Sequence, residues 1–296
     1  MKRLYTFGCS FTHYDWPTWA DILSREFDYY ENWGLVGGGN EFILNSLVEC
    51  LVKNKLTKND QVIIMWSNIT REDRYVNDRW LLTGNIFTQT EYSEEFVKKY
   101  ADEKGYLLRD LSFIHAASKM LEQYHIPYIF TSMVPIDNSH DYEISPIKDA
   151  TEILDAYQET IKIIRPSIFE TVFNFDWWSR SFMPDTEMKY LTKKYNQLSG
   201  VSWPKLQDYL LNNIKHVSRD ILDEIKNSES INLGIHRLSR RDLHPNPLEH
   251  LEYVDKVLTE FVVSDQTKQW VNEINLRLES KTDISDMWTP SNPNRW

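Results

Sequence analysis

The stretch that decides the fold is DQVIIMW, which runs from Asp60 to Trp66. Its central residues, Val62 to Met65, are all apolar, so a strand formed there would present apolar side chains on both of its faces. Strands that are buried on both faces are typical of parallel sheets covered by helices on each side. A polar segment, SNITREDR, follows directly, which indicates that the chain leaves the sheet after Trp66.

Strand and helix patterns alternate along the rest of the chain. Further strands are predicted at Leu4–Phe7, Tyr29–Trp33, Pro127–Val134 and Ser167–Phe173. Apolar residues recur with a helical period in four other segments, which predicts helices at Pro17–Glu26, Glu41–Leu51, Asp110–Tyr124 and Pro247–Phe261. This alternation predicts an α/β protein with a flavodoxin-like three-layer fold, in which helices cover a central parallel sheet of about five strands.

The chain length of 296 residues suits a single domain that spans residues 1–296. Within it, the polar and helix-prone stretch at about 186–230 predicts a helical insertion or lid. The helix that follows has a clear start, because Asn246 would be its N-cap, Pro247 its first residue and Glu249 its third. The tail at about 283–296 contains several Pro and Asn residues, and we expect it to be irregular.

Composition excludes several classes of protein. The net charge of −11 disfavours non-specific binding to nucleic acid, which depends on Lys and Arg. Cys9 and Cys50 are far apart, and no tight His or carboxylate spacing occurs, so we expect no disulfide, metal or cofactor. The amino-terminal apolar run is too short and polar for a signal peptide, and no stretch approaches the ~20 apolar residues of a membrane span. We therefore expect a cytoplasmic protein without a membrane partner.

Candidate functional residues lie where predicted strands end. Ligands of open parallel sheets bind beyond the carboxyl ends of the strands, so the segments that follow strands are the first place to look. Three segments follow predicted strands and a fourth precedes the last predicted helix. They are GCSFT at 8–12, NWGLVGGGN at 32–40, WSN at 66–68 and DLHP at 242–245.

In order and spacing, these four segments resemble those of the SGNH (GDSL-like) hydrolases. The first is similar to the family's Gly-Asp-Ser block, the second to its Asn and Gly-containing turn, the third to its Gly-x-Asn block and the fourth to its Asp and His before Pro. The likeness spans nearly the whole chain, and its specificity comes from the order of short motifs. It is greatest to the uncharacterised, often phage-encoded branch that begins with GCSFT or GDSFT, which would place the protein in a host cytoplasm.

The resemblance implies a cofactor-independent serine esterase or deacylase that acts on an O-acyl ester. Ser10 would be the nucleophile, His244 the general base and Asp242 the carboxylate that orients the imidazole. The oxyanion hole would consist of the backbone N–H groups of Ser10 and Gly37 and the side-chain amide of Asn68. Outside the resemblance, Ser10 and Asn68 could simply cap the turns that follow their strands.

The sequence departs from the family pattern at three places. Asp242 stands two residues before His244 instead of three, so it could fail to reach the imidazole. Trp66 replaces the usual Gly of the third block, where it would narrow the pocket or provide a stacking wall. Cys9 replaces the usual Asp of the first block, either as a packed neighbour of Ser10 or as a competing thiol nucleophile.

Further residues have both a substrate-binding and a structural interpretation. Arg71 could bind an anionic group through two parallel hydrogen bonds, or it could pair with Glu72 or Asp73 at the surface. Trp177 and Trp178 could stack on a sugar or base, or they could seal the edge of the sheet.

Two other functions use the same residues and stay open at this point. The protein could be an acyltransferase that acts on a carbohydrate or a modified nucleotide, or a non-catalytic binding protein on the same scaffold. We expect a small-molecule or carbohydrate ester as ligand. The acyl group, the alcohol and the oligomeric state are not encoded in any motif of the chain.

Overall fold

The computed structural model describes residues 2–87, 92–136, 147, 149–173, 244–280 and 282–291. The strands are β1 (Arg3–Phe7), β2 (Tyr29–Asn32), β3 (Asp60–Trp66), β4 (Arg71–Val76), β5 (Arg79–Asn85) and β6 (Tyr128–Ser132). The helices are α1 (Trp19–Ser24), α2 (Asn40–Lys53), α3 (Glu94–Tyr100), α4 (Glu103–Gln123), α5 (Thr151–Ala156), α6 (Gln158–Lys162), α7 (Ile168–Thr171), α8 (Pro247–Val257) and α9 (Asp265–Glu279). All described residues except His244 belong to one compact unit, Met1–Phe175 with Pro245–Trp296.

The main sheet has the strand order β2-β1-β3-β6, and all neighbouring strands are parallel. The chain leaves β1 for β2 on one side and later returns to β3 on the other side. Flavodoxin-like sheets have this order, and ligands bind in the crevice between the two connections that leave the central strands in opposite directions. The predicted α/β fold with a central parallel sheet is confirmed.

Helices cover both faces of the sheet. On one face, Tyr5, Phe7 and Ile64 contribute to a core with residues of α2 and α4 such as Phe42 and Leu111. The alternate residues of the strands point to the other face and are also buried there, among them Leu4, Ile63, Met65 and Thr131. The hydroxyl of Tyr253 in α8 hydrogen bonds to that of Thr131, so α8 lies on this second face. The three-layer arrangement follows from this double burial.

The predicted fifth strand at Ser167–Phe173 is wrong, because this segment contains helix α7. Ser167 caps the helix: its hydroxyl accepts a hydrogen bond from the Glu170 N–H at 3.1 Å, and the Glu170 carboxylate accepts one from the Ser167 N–H at 2.8 Å. This Ser-x-x-Glu capping box is a helix start signal that outweighs the apolar residues. Among the described residues, the sheet has four strands, and beyond β6 only a single parallel bridge joins Phe130 to Ile164.

Several elements were not predicted, among them the hairpin β4–β5 and the helices α3, α5, α6 and α9. The polar segment after β3 contains the antiparallel hairpin β4–β5, whose turn has positive φ at Asn77 and Asp78, as a tight primed turn requires. Helix α9 was missed because its sequence is largely polar, and its buried side chains include only Val271 and Ile274 as aliphatic residues. In contrast, the start of α8 is confirmed, since Asn246 accepts a hydrogen bond from the Glu249 N–H at 2.9 Å.

The predicted insertion at about 186–230 lies outside the described residues, and the single-domain interpretation stays a prediction. The described part of the tail, up to residue 291, contains neither helix nor strand. Among the helices of the described ranges, none is both long enough and apolar enough to span a bilayer.

Candidate active site

The carboxyl ends of the strands bring three of the four motif segments to one edge of the sheet. Phe7 of β1 pairs with Ile64 of β3, and Trp66 of β3 pairs with Ser132 of β6. Because the strands are parallel and nearly in register, the segments that follow them leave the sheet side by side. The segments that contain Ser10, Gly37 and Asn68 therefore lie at the same edge.

Ser10 lies in a tight turn directly after β1. The Cys9 carbonyl accepts hydrogen bonds from the N–H groups of Thr12 at 2.9 Å and His13 at 3.1 Å, and Ser10 is only 3% exposed. A Cβ atom at Gly8 would lie 2.1 Å from the Thr12 hydroxyl oxygen and 3.0 Å from the Met65 carbonyl oxygen. The turn that presents Ser10 therefore requires glycine at the end of the strand.

The thiol of Cys9 is buried beside the end of β6. The side chain is fully buried, and its Sγ atom lies 3.7 Å from Sδ of Met133, the residue that follows β6. This burial agrees with the interpretation of Cys9 as a packed neighbour of Ser10, and the thiol nucleophile stays the alternative.

Asn32 joins the glycine-rich loop to the turn that contains Ser10. Its Nδ2 atom donates a hydrogen bond to the Thr12 carbonyl at 2.7 Å, and its Oδ1 atom accepts one from the Gly34 N–H at 3.0 Å. The Leu35 N–H also donates to the Gly8 carbonyl at 3.1 Å. These bonds hold the first and second motif segments against each other.

Gly37 is required by its backbone conformation and by its neighbour. Its φ angle is 80°, a region that favours glycine, and a Cβ atom there would lie 2.9 Å from the Leu82 carbonyl oxygen. Leu82 belongs to β5, so the unpredicted hairpin packs directly on the loop that presents Gly37.

Asn68 is held by its own turn. Its Oδ1 atom accepts hydrogen bonds from the Thr70 N–H at 3.0 Å and from the Thr70 hydroxyl at 3.1 Å, an arrangement typical of turns built by Asn. Because Oδ1 is engaged in the turn, the other end of the amide, Nδ2, carries the N–H donors. The side chain is 4% exposed, so its orientation is well defined.

Asn40 connects the loops that contain Gly37 and Asn68. Its Oδ1 atom accepts a hydrogen bond from the Ser67 N–H at 2.7 Å, and its Nδ2 atom donates to the Ser67 carbonyl at 3.0 Å. The same Nδ2 atom donates to a carboxylate oxygen of Asp110 in α4 at 2.6 Å. One buried amide thus fixes the backbone immediately before Asn68.

Arg109 and Asp110 of α4 stabilise the loop that contains Asn68. The guanidinium of Arg109 donates to Asp110 at 2.7 Å and to the carbonyl oxygens of Ile69 at 3.2 Å and Arg71 at 3.0 Å. Burial raises the pKa of Asp110 to about 7, although the neighbouring Arg109 and the hydrogen bond from Asn40 oppose this rise.

Asp73 fixes the end of the glycine-rich loop. Its two carboxylate oxygens accept hydrogen bonds from the N–H groups of Gly39 and Phe42, each at 2.9 Å, at the start of α2. Burial raises the pKa of Asp73 to about 6, and these two backbone hydrogen bonds oppose the rise.

Arg71 reaches across the edge from the hairpin to the end of β6. Its Nη1 atom donates to the Gly38 carbonyl at 3.0 Å, and its Nη2 atom lies 3.6 Å from Sδ of Met133. Glu72, one of the two partners considered from the sequence, pairs instead with Arg74 and Arg109. The half-buried Arg71 side chain is therefore placed among the motif segments.

Trp66 is fully buried. Its ring packs edge-on against Phe130, with ring centroids 5.5 Å apart, within the core formed with α2 and α4. Its assignment as a wall of the substrate pocket stays a prediction.

The remaining predicted site residues lie at or beyond the limits of the described chain. Asp242, Trp177 and Trp178 are outside the described residues. His244 is described as half-buried, and Pro245, which follows it, accepts a hydrogen bond from the Trp16 indole N–H at 2.8 Å. Within the described ranges, no three His, Cys, Asp or Glu side chains are grouped as metal ligands would be.

Sequence reasoning missed the residues that support the loops, namely Asn40, Asp73, Arg109 and Asp110. A usable signal existed for Asp110, because it lies on the apolar face of α4 with Leu107, Leu111 and Ile114. A carboxylate at such a position is seldom buried without a partner, so it indicates a buried polar contact.

Comparison with known proteins found no matching family model and no matching curated protein. Among solved structures, the chain is similar to a member of the lipolytic protein G-D-S-L family from Veillonella parvula, with a TM-score of 0.36, 17% identity and coverage of 62% of this chain and 88% of that one. It is also similar to a putative acylhydrolase from Bacteroides fragilis, with a TM-score of 0.30, 19% identity and coverage of 55% and 66%. A GDSL-like lipase from Bacteroides thetaiotaomicron gives a TM-score of 0.29, 15% identity and coverage of 54% and 62%.

Proposed function

We propose that this protein is an SGNH-type serine esterase or deacylase that hydrolyses an O-acyl ester. The observation that supports the proposal is the assembly of three motif segments at the carboxyl edge of one parallel sheet. Ser10, Gly37 and Asn68 lie on these segments, which are joined by the buried amides of Asn32 and Asn40. Such rigid support is what a preorganised oxyanion hole requires.

In the proposed reaction, the Ser10 hydroxyl attacks the ester carbonyl while His244 takes its proton. The negative charge on the tetrahedral intermediate accepts hydrogen bonds from the N–H groups of Ser10 and Gly37 and from Nδ2 of Asn68. His244 then gives its proton to the departing alcohol, and water hydrolyses the acyl-enzyme. Asp242 orients His244 and stabilises its charged form in this proposal.

The assignment of His244 is supported by the residue that follows it. Pro245 is bonded to His244 in the chain, and its carbonyl accepts the hydrogen bond from Trp16. Trp16 lies in the segment between the Ser10 turn and α1, so Pro245 contacts the segment that follows the proposed nucleophile.

Covalent labelling tests the nucleophile directly. A fluorophosphonate probe should label the wild-type protein, and mass spectrometry of its peptides should find the adduct on Ser10. The Ser10→Ala variant should show no labelling, whereas Cys9→Ala, its matched control from the same turn, should still be labelled. An adduct that persists in Ser10→Ala, or a folded wild-type protein that does not react, would exclude this function.

Replacing Asn68 with alanine should lower kcat for ester hydrolysis by ~10²–10³, because one donor to the developing oxyanion is lost. KM should change little, since the ground-state carbonyl carries less charge than the transition state. Steady-state kinetics with p-nitrophenyl esters measure both constants.

The matched control for this variant is Thr70→Val, which removes a hydroxyl contact to Asn68 Oδ1 and leaves Nδ2 in place. If Thr70→Val lowers kcat as much as Asn68→Ala does, Asn68 serves only to hold its turn.

A further inference from the structure

We infer that Arg71 binds an anionic group of the substrate, a carboxylate or a phosphate, beside the proposed nucleophile. The inference rests on the proposed function for the identity of the reacting ester, and it adds the substrate class. Nη1 of Arg71 is bonded to the carbonyl of Gly38 at 3.0 Å, and Gly38 directly follows the proposed oxyanion donor Gly37.

The other end of the guanidinium lies near the turn that presents Ser10. Nη2 is 3.6 Å from Sδ of Met133, and the same sulfur atom is 3.7 Å from Sγ of Cys9. Arg71 and Cys9 therefore share a neighbour, and Cys9 directly precedes Ser10. The guanidinium thus spans the edge between the glycine-rich loop and the end of β6.

The guanidinium of Arg71 forms no ion pair with a described carboxylate, and its charge acts on Asp73 only through space. Within the described residues, no carboxylate oxygen lies within 4.0 Å of its guanidinium. The acidic residues that follow it along the hairpin have other partners: Glu72 pairs with Arg74 and Arg109, and Asp73 accepts hydrogen bonds from the N–H groups of Gly39 and Phe42.

Arg109 provides a contrast within the same region of the chain. It is also partly buried, and it has two carboxylate partners, Asp110 at 2.7 Å and Glu72 at 3.4 Å. A cation that is partly removed from water normally needs such compensation. Among the described residues, the close contacts of the Arg71 guanidinium are a carbonyl and a thioether, and Asp73 acts on it only through space, an environment that suits a bound anion.

The chemistry of the group defines its ligand. Guanidinium has more N–H donors than the two contacts use, and its planar fork matches the two oxygens of a carboxylate or a phosphate. The net charge of −11 repels anions at a distance. Selectivity for an anionic ester therefore depends on a local cation such as Arg71.

Paired substrates test the inference. On the acyl side, the p-nitrophenyl monoester of succinic acid is compared with p-nitrophenyl butyrate, in which a methyl group replaces the carboxylate. On the alcohol side, the acetyl esters of p-hydroxybenzoate and of p-hydroxyphenyl phosphate are compared with phenyl acetate. In at least one arm, the ratio of kcat/KM for the anionic ester to the neutral one should fall by about tenfold or more in Arg71→Met.

The matched control is Arg74→Met, which removes a cation from the same hairpin that already pairs with Glu72 and should leave the ratio unchanged. A ratio that stays the same in Arg71→Met in every arm overturns the inference. So does an equal fall in Arg71→Met and Arg74→Met, because it would mean that only the overall charge matters.

A binding measurement separates this inference from the proposed function. Calorimetry with succinate and with inorganic phosphate on the Ser10→Ala variant, with and without Arg71→Met, reports anion binding without any turnover. If Ser10 is not labelled but binding still depends on Arg71, the esterase proposal fails and the anion site stands. If Ser10 is labelled and neither anion binding nor the ester ratio depends on Arg71, the anion site alone fails.

Discussion

Replacing Ser10 with alanine should lower kcat for ester hydrolysis by roughly 10⁴–10⁶, because removal of the nucleophile leaves only the oxyanion donors and substrate binding. Hydrolysis of p-nitrophenyl butyrate measures the loss. The variant should fold, since the change removes a single oxygen atom, and thermal unfolding checks this.

The Cys9→Ala variant separates the two adjacent candidate nucleophiles. Cys9 is fully buried against Met133, so its replacement should affect packing and leave ester hydrolysis in place. If Cys9→Ala abolishes hydrolysis in a folded protein while Ser10→Ala does not, the thiol is the nucleophile and the roles within the turn are reversed.

The same series of variants tests His244 as the base. Residues that act as one catalytic unit have strongly non-additive effects, so His244→Ala should be severely impaired and the double variant should be no slower than Ser10→Ala. Losses that simply multiply in the double variant would mean that the two residues act independently.

Replacing Asp110 with alanine should lower the free energy of unfolding by ~3–5 kcal/mol, because it leaves the charge of Arg109 without its closest buried partner. It also removes the acceptor for Nδ2 of Asn40. Urea unfolding at about pH 8, above the raised pKa of Asp110, measures the loss while the carboxylate is charged.

Asp102→Ala is the matched control for Asp110→Ala, because it removes the same side chain from the exposed N-cap of the same helix. Asp102 accepts a hydrogen bond from the Gly105 N–H at 2.6 Å, and loss of such a cap costs ~1 kcal/mol. Equal losses in the two variants would show that Asp110 contributes no more than an ordinary helix residue.

The contribution of Asp110 to the stability of the folded protein should change with pH in a defined direction. Burial raises the pKa of Asp110 to about 7 in the folded state, whereas an unfolded Asp titrates near ~4. The folded state thus binds more protons between these values, so the stability of the wild type relative to Asp110→Asn should fall as pH rises through this window. A stability difference that stays constant across this window would mean that Arg109 keeps the carboxylate ionised in the folded state.

Local sequence patterns determined the framework of this protein. The apolar run of β3 predicted a strand buried on both faces, and its bounds are those observed. The helix start at Asn246 depends only on neighbouring residues and was also predicted correctly. Because parallel strands end at one edge, the chain order alone was sufficient to predict that the segments containing Ser10, Gly37 and Asn68 would leave the sheet at the same edge.

Predictions from local sequence were wrong in two situations. In one, two sequence patterns favour different structures, and in the other, a polar segment is stabilised by tertiary packing. At Ser167–Phe173, apolar content favoured a strand, but the capping box of Ser167 and Glu170 favours the helix that is present. The hairpin β4–β5 begins in a segment too polar to be recognised as a strand, and it is stabilised by packing on the loop at Gly37 and on α2.

The sequence by itself thus determined the class of fold, the edge of the sheet where chemistry is expected and the side chains presented there. Only the tertiary structure decided what holds that edge together and which guanidinium has no described carboxylate within ion-pair distance. The hydrogen bond between Asn40 and Asp110 joins residues 70 positions apart, a separation that no periodicity encodes. The environment of Arg71 also depends on residues that are distant in sequence. Arg109 pairs with Glu72, and the N–H groups of Gly39 and Phe42 donate to Asp73.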